Sequence, residues 1–99
     1  MYILNFFIEL RIDGETASVL KKEVSIPFVP SFGMNIETSR ITLEINKLGY
    51  SIKDNAFFSI LEEQNIEAED LEYTIEYWEN SKFEEYSISD YKHKEATIG

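Results

Sequence analysis

The first 26 residues alternate between apolar and polar side chains with the period of two that is typical of a β-strand. Asp13-Gly14 interrupts the alternation, and this dipeptide tolerates the positive φ angles of a tight hairpin turn. Alternation then resumes over residues 16–26. The pattern predicts an antiparallel hairpin. One face of its first strand carries six apolar side chains: Tyr2, Leu4, Phe6, Ile8, Leu10 and Ile12.

The opposite face of the first strand is mixed. It carries Asn5, Glu9 and Arg11, which favour solvent, but also Ile3 and Phe7, which favour burial. Since side chains at every second position share a face, part of this second face could also be covered.

Alternating or apolar segments continue along the chain, and four of them are predicted as strands: residues 41–52, 56–63, 71–77 and 82–89. The first of these could bend at Gly49. Asp54-Asn55 and Asn80-Ser81 are predicted turns, and the polar residues 64–70 a connection with at most one short helical turn. The whole pattern predicts an all-β fold. We expect a single small antiparallel meander sheet of six or seven strands, curled into a barrel or sandwich.

Residues 27–33, PFVPSFG, break the strand pattern because proline cannot donate a ladder hydrogen bond. We expect a corner at the end of the sheet, with Phe28 and Phe32 filling the core. A ligand-gripping loop is the alternative.

The length of 99 residues suits one domain. Residues 1–90 are predicted as a single β-domain. Residues 91–99 show no apolar period, and we expect them to be a flexible C-terminal tail.

The chain has no cysteine, which excludes disulfides and thiolate chemistry and favours a reducing compartment. Its apolar start, MYILNFFIEL, lacks the basic segment and cleavage site of a signal peptide. No apolar run approaches the ~20 residues that cross a bilayer. We therefore expect a cytoplasmic protein that has no membrane partner.

The net charge of −10 is concentrated in one third of the chain. Residues 61–90 hold eleven acids against a single base, Lys82, whereas residues 1–60 hold seven acids and six bases. Such a surface repels phosphate backbones and attracts basic proteins. No basic stripe interleaved with aromatics is present, so we expect no nucleic-acid partner.

Candidate chemistry is sparse. His93 is the only histidine and lies in a Lys-His-Lys run of the predicted tail, which disfavours a Ser-His-Asp site. Adjacent carboxylates such as Glu62 and Glu63 point to opposite faces of a strand, so no such pair is aimed at one substrate atom. The acids of residues 67–72 lack the spacing of a calcium loop. We expect no catalysis, no cofactor and no metal site.

The acidic third of the chain is also rich in aromatics. In the predicted strand 71–77, Leu71 and Ile75 fall on the core phase, whereas Trp78 falls with Glu72 and Glu76 on the opposite phase. An exposed tryptophan on an acidic face is typical of an interface hot spot, although Trp78 could instead cap the end of the sheet. The predicted partner-binding residues are Glu62, Glu72, Glu76, Trp78, Glu79, Glu84 and Tyr86.

In size, acidity, lack of cysteine and lack of a catalytic set, the chain resembles bacterial immunity proteins. The resemblance implies an inhibitor that covers the cationic surface of a basic toxin, such as a nuclease. One alternative is a structural or assembly module, such as a phage-type part or a homo-oligomer formed through the first or last strand. Others are a nucleic-acid mimic, which would use the same electrostatics, and a sugar-binding domain.

Overall fold

The computed structural model describes residues 1–98, and its first element is the predicted hairpin. β1 (Tyr2–Ile12) and β2 (Glu15–Ile26) pair antiparallel along their whole length. Asp13 and Gly14 have φ angles of 51° and 80°, as a two-residue turn between strands requires. The hairpin prediction is confirmed.

β1 lies in the middle of a six-stranded sheet of order β5-β6-β1-β2-β8, with β7 also paired to β1. β6 and β7 run parallel to β1, and the other pairs in this sheet are antiparallel. β3 and β4 form a separate two-stranded hairpin. The bounds of these strands are β3 (Asn35–Glu37), β4 (Thr42–Glu44), β5 (Leu48–Ser51), β6 (Ala56–Ile60), β7 (Gln64–Asn65) and β8 (Glu84–Tyr86).

The chain is mostly β, as predicted, but the arrangement of its strands differs from the prediction. The main sheet is open and mixed, so the antiparallel meander closed into a barrel or sandwich is wrong. Alternation shows which side chains share a face, but it does not show which strand lies alongside. Here residues 27–47 form a long crossover from β2 to β5, and the β5–β6 hairpin then places β6 parallel to β1.

Two α-helices, α1 (Leu71–Asn80) and α2 (Ile88–Ile98), replace the single helical turn expected. A 3₁₀ helix, Ala68–Asp70, directly precedes α1. The strand predicted over residues 71–77 is wrong, and of the strand predicted over 82–89 only β8 is present. In α1, Leu71, Ile75 and Trp78 recur at i, i+4 and i+7, which places them on one helical face.

Residues 91–98 of the segment expected as a flexible tail are also helical, and Gly99 lies outside the described residues. Ser87 Oγ accepts a hydrogen bond from the backbone N–H of Asp90 at 3.3 Å, which is the pattern of a helix N-cap. Tyr91 is only 1% exposed and packs against the sheet. Near the end of α2, Ile98 lies on Gly49, where a Cβ atom would meet Ile98 Cγ2 at 2.5 Å. Only glycine leaves room for this contact.

The sheet is covered on both faces. The even-numbered side chains of β1 pack under the β3–β4 hairpin and α1, in a cluster that includes Phe6, Leu43 and Trp78. The odd-numbered face packs under α2, where Phe7 and Tyr91 belong to a second cluster. Seven consecutive residues of β1, 4–10, are therefore buried. The second face of the first strand is covered at Phe7.

The corner at residues 27–33 does not fill the core in the way expected. Phe28 is 39% exposed and Phe32 is 75% exposed. The loop is attached instead through its backbone, because Gly33 N–H donates to the Ile45 carbonyl at 2.8 Å. Ile45 itself is fully buried and occupies the core beside this loop.

Candidate partner-binding face on helix α1

The inner face of α1 is fixed by Trp78. This side chain is 6% exposed, and its Nε1 donates a hydrogen bond to Gln64 Oε1 at 3.0 Å. Its ring lies 5.0 Å from the ring of Phe83, in an edge-to-face arrangement. Trp78 is thus a core residue with its polar atom satisfied, and the prediction that it is an exposed hot spot is wrong.

The C-terminus of α1 is closed by a Schellman motif. Lys82 has a φ angle of 71°, its N–H donates to the Glu79 carbonyl at 3.0 Å, and Phe83 N–H donates to the Trp78 carbonyl at 3.1 Å. The carbonyl of Ser81 accepts a hydrogen bond from the buried Lys22 Nζ at 2.7 Å. These bonds fix the end of α1 against β2.

The surroundings of Lys22 disfavour the positive charge of its ammonium group. Burial lowers the pKa of the Lys22 ammonium below its usual value, and the positive charges of Lys82 and Arg40 lower it further. No acidic side chain forms an ion pair with Lys22 among the described residues.

The outer face of α1 carries two neighbouring stripes of side chains. Successive residues of a helix are rotated by about 100°, so Glu72, Glu76 and Glu79 form one stripe and Tyr73 and Tyr77 the next. All five side chains are exposed; Tyr73 is 75% and Tyr77 52% exposed. Residues 71–80 contain no base. We call these five residues the outer face of α1.

Three of the predicted binding residues, Glu72, Glu76 and Glu79, therefore come together on the outer face of α1. In the strand predicted over residues 71–77, Tyr73 and Tyr77 would share the core phase with Leu71 and Ile75, because all four are odd-numbered. The helical spacing from Leu71 to Trp78 was the signal that could have separated them.

The remaining predicted residues lie elsewhere. Glu62 is exposed in the connection between β6 and β7. Glu84 and Tyr86 are two residues apart on β8 and project from the face covered by α2, whereas α1 lies against the other face. Tyr86 is half-buried, with its ring 4.8 Å from the Phe7 ring. The predicted set of seven is thus divided between two faces of the sheet.

A buried carboxylate, which sequence reasoning did not single out, joins α2 to β1. Glu9 is 2% exposed, and its Oε2 accepts hydrogen bonds from Thr16 Oγ1 and from Lys92 Nζ, the latter at 3.0 Å. Arg11 Nε lies 3.6 Å from the same oxygen, and the Tyr91 hydroxyl lies 3.5 Å from Oε1.

The charged form of Glu9 is the favoured one. Burial alone would raise its pKa, but the hydrogen bonds from Thr16 and Lys92 and the charges of Lys92 and Arg11 outweigh burial and lower the pKa. Burial and the nearby Glu9 and Glu95 carboxylates raise the pKa of Tyr91 far above its usual value. The cluster is therefore an ion pair between ionised Glu9 and Lys92 that attaches α2 to β1.

His93 lines a cavity of ≈ 270 Å³ together with Ser51 and Asp54. No hydrogen bond joins the His93 side chain to Ser51 or Asp54 among the described residues: Ser51 Oγ accepts from the Asp54 backbone N–H at 3.1 Å, and Asp54 Oδ2 accepts from Lys94 Nζ at 2.6 Å. Burial would lower the pKa of Lys94, but Asp54 raises it overall. The nucleophile–base contact of a hydrolase is not formed among these residues.

Within residues 1–98, no three acidic or histidine side chains are grouped so that they could hold a metal ion. Neither α1 nor α2 is long and apolar enough to cross a membrane. No protein-family model, curated protein or solved structure matches the chain.

The edges of the main sheet are short. β1 pairs on both sides, so the first strand does not have the free edge required by the alternative of self-association through this strand. The two outermost strands are β5, with four residues, and β8, with three. Tyr50 and Ile52, which lie on and just after β5, are 45% and 89% exposed.

Proposed function

We propose that this chain is a small non-catalytic binding protein that engages a basic protein partner through the outer face of α1. The observation that carries the proposal is the pairing of Tyr73 and Tyr77 with the acidic stripe Glu72, Glu76 and Glu79. Exposed tyrosines supply rigid contact area, and carboxylates supply long-range attraction and orientation. Together they match a protein surface rich in lysine and arginine.

The carboxylates of α1 form no ion pair with a basic side chain among the described residues. Glu79 lies in the last turn of the helix, where the backbone dipole disfavours negative charge by about 0.3–1 kcal/mol. Since Glu72 and Glu76 also repel each other at i, i+4, a cationic partner would relieve a strain that the fold leaves in place.

The partner we propose is a cationic toxin, such as a nuclease, which makes the chain an immunity-type inhibitor. The carboxylates of α1 would form ion pairs with the lysines and arginines that such a toxin uses to hold nucleic acid. The nucleic-acid substrate could then no longer bind to the toxin. Nucleic acids and anionic membranes are disfavoured as partners by the same charge. The absence of cysteine is compatible with work in a reducing cytoplasm. A nucleic-acid mimic would need the acids but not the exposed tyrosines, so the tyrosines favour a dedicated protein interface.

A second candidate is self-association through β5. The exposed Tyr50 and Ile52 beside this open edge favour it, because an unprotected edge strand can pair with a second copy. Salt discriminates the two candidates: edge pairing should persist at high ionic strength, whereas electrostatic capture of a basic partner weakens.

Affinity capture with matched charge reversals tests the proposed function. Glu72→Lys with Glu76→Lys reverses the acidic stripe of α1, and Glu37→Lys with Glu44→Lys makes the same charge change on β3 and β4, where both residues are exposed. We expect the wild-type chain and the β3–β4 variant to retain a basic partner at low salt, and the α1 variant to lose it. Equal retention by both variants would contradict the proposal.

A further inference from the structure

The aromatic rings of Tyr73 and Tyr77 are accessible to a cation from outside the chain. Tyr73 is 75% and Tyr77 52% exposed, and both belong to the outer face of α1. The contacts between a lysine ammonium and an aromatic ring among the described residues involve Tyr86, Tyr91 and Phe58 instead. Within residues 1–98, no basic side chain lies over either ring of the outer face.

The ring of Tyr77 is positioned by the core. It lies 5.3 Å from the ring of Trp78, with an angle of 87° between the two ring planes. Trp78 is fixed in turn by its hydrogen bond to Gln64 and its contact with Phe83. An exposed ring that is already held in place loses little conformational freedom when a partner binds to it.

Glu76 lies at the centre of the outer face. Side chains three and four positions apart are neighbours on a helix, so Glu76 adjoins Tyr73, three positions earlier. It also adjoins Glu72 and Glu79 within its own stripe. All four side chains are exposed, and none takes part in an ion pair among the described residues. A cation bound to the Glu76 carboxylate is therefore next to an aromatic ring.

Arginine and lysine differ in how well they fit a carboxylate beside an exposed ring. The arginine guanidinium is planar, donates two parallel hydrogen bonds to one carboxylate, and stacks on aromatic faces. The lysine ammonium is a compact and more strongly hydrated charge, so it must lose more of its water before it contacts a ring. The arrangement on α1 therefore favours a guanidinium over an ammonium.

We propose that the outer face of α1 recognises arginine side chains in preference to lysine side chains. This inference rests on the proposed function and adds the chemistry of the partner, a basic surface whose contact residues are arginines. One guanidinium pairs with Glu76 and lies on the Tyr73 ring, and Tyr77 provides a second ring for another arginine. The glutamates attract both kinds of base, whereas the tyrosines discriminate between them.

The binding of two short peptides to the full chain tests this inference. The probes are fluorescein-labelled hexa-arginine amide and hexa-lysine amide, which have the same length and the same side-chain charge. Fluorescence anisotropy at low salt measures the dissociation constant of each peptide. We expect the wild-type chain to bind hexa-arginine at least about fivefold more tightly than hexa-lysine. Equal affinities for the two peptides would overturn the proposal.

Ring variants separate stacking from the stronger hydrogen bonding of arginine. Tyr73→Leu with Tyr77→Leu removes both rings and should reduce the preference for hexa-arginine at least about threefold. Tyr73→Phe with Tyr77→Phe keeps both rings and should retain the preference. Tyr50→Leu, which removes an exposed tyrosine from β5, is the matched control and should also retain it. An unchanged preference in the double leucine variant would overturn the proposal.

Circular dichroism of each variant shows whether the fold is retained. If the double leucine variant does not fold, Tyr73→Leu alone takes its place, because Tyr73 contacts no other aromatic ring among the described residues. This single variant should reduce the preference at least about twofold. An unchanged preference would again overturn the proposal.

Charge reversal distinguishes failure of this inference from failure of the proposed function. Glu72→Lys with Glu76→Lys should weaken the binding of both peptides at least about tenfold, and Glu37→Lys with Glu44→Lys should leave it within about threefold of wild type. If the first variant loses both peptides but wild type binds them equally, only the arginine preference is overturned. If the first variant retains both peptides, or wild type binds neither, the proposed function is contradicted as well.

Discussion

The indole Nε1 of Trp78 donates to Oε1 of Gln64 over 3.0 Å, which links α1 to β7 across fourteen residues of sequence. The bond fixes the rotation of the helix about its axis. With Trp78 held inward, Tyr73 and Tyr77 and the three glutamates of the outer face must point to solvent. The contact in the core therefore determines which side chains of α1 are exposed.

Replacing Trp78 should cost stability. Trp78→Ala removes a nearly fully buried ring and its contacts with Phe83 and Gln64, and we expect a loss of about 3–5 kcal/mol in the free energy of unfolding. Urea denaturation measures this loss. Tyr73→Ala, on the exposed side of the same helix, should change stability by less than about 1 kcal/mol. Similar midpoints for Trp78→Ala and wild type would show that the indole is not a core residue.

The Schellman motif gives a prediction for Lys82. A side chain at a φ angle of 71° is strained, and glycine is not. Lys82→Gly should therefore be more stable than Lys82→Ala by about 1 kcal/mol, since both variants lose the same charge and differ in the backbone preference. Thermal or urea unfolding of the two variants provides the comparison. Greater stability of the alanine variant would argue against a left-handed residue at this position.

Glu9 predicts a specific acid sensitivity. Its pKa is lower in the folded chain than in the unfolded chain, so ionised Glu9 stabilises the fold fully above the unfolded-state pKa. That stabilisation is lost as the pH falls through the folded-state pKa. Glu9→Gln should therefore destabilise the chain by about 1–3 kcal/mol at neutral pH, and the difference from wild type should shrink in acid. Urea unfolding across this pH range measures it, with exposed Glu15→Gln as the control. A difference that does not change with pH would contradict the ion-pair account.

The C-terminal helix should be required for stability. Deletion of residues 91–99 removes Tyr91 and uncovers Phe7 and Phe58, and Tyr91→Ala alone should cost about 3–5 kcal/mol. Tyr91→Phe is the matched control, because its hydroxyl makes only long contacts of 3.4 and 3.5 Å and its loss should cost less than about 1 kcal/mol. Circular dichroism and urea unfolding report both effects. A truncated chain with wild-type stability would mean that α2 does not contribute to the core.

Local patterns predicted some parts of this fold and not others. The first hairpin was predictable because Asp13-Gly14 and the alternation on either side favour the same structure. Residues 71–77 were ambiguous, since Leu71 and Ile75 fit both a strand and a helix; only Trp78, at i+7, distinguishes the two. α2 was missed because its two most buried residues are Tyr91 and the polar Lys94, and the next apolar residue on that face is Ile98 near the end of the chain, which gives a weak apolar period.

The candidate site was predicted in part for a related reason. The excess of acids locates an acidic surface in residues 61–90 whatever the secondary structure, so Glu72, Glu76 and Glu79 could be named as candidates from the sequence. Which aromatic side chains share the acidic surface depends on whether residues 71–80 form a strand or a helix. A strand would expose Trp78 and bury Tyr73 and Tyr77, whereas the helix buries Trp78 and exposes the two tyrosines. The parallel pairing of β6 with β1 is set by long-range packing and has no local signal.

The rate of association with the captured basic partner, measured over a range of salt concentrations, tests the central claim most directly. At low salt, Glu72→Lys with Glu76→Lys should slow association by at least about tenfold and flatten its salt dependence. Glu37→Lys with Glu44→Lys, which makes the same charge change on β3 and β4, should leave the rate within about threefold of wild type. Equal slowing by both pairs would mean that net charge alone controls binding. A wild-type rate for the Glu72 and Glu76 variant would show that the outer face of α1 is not the binding surface.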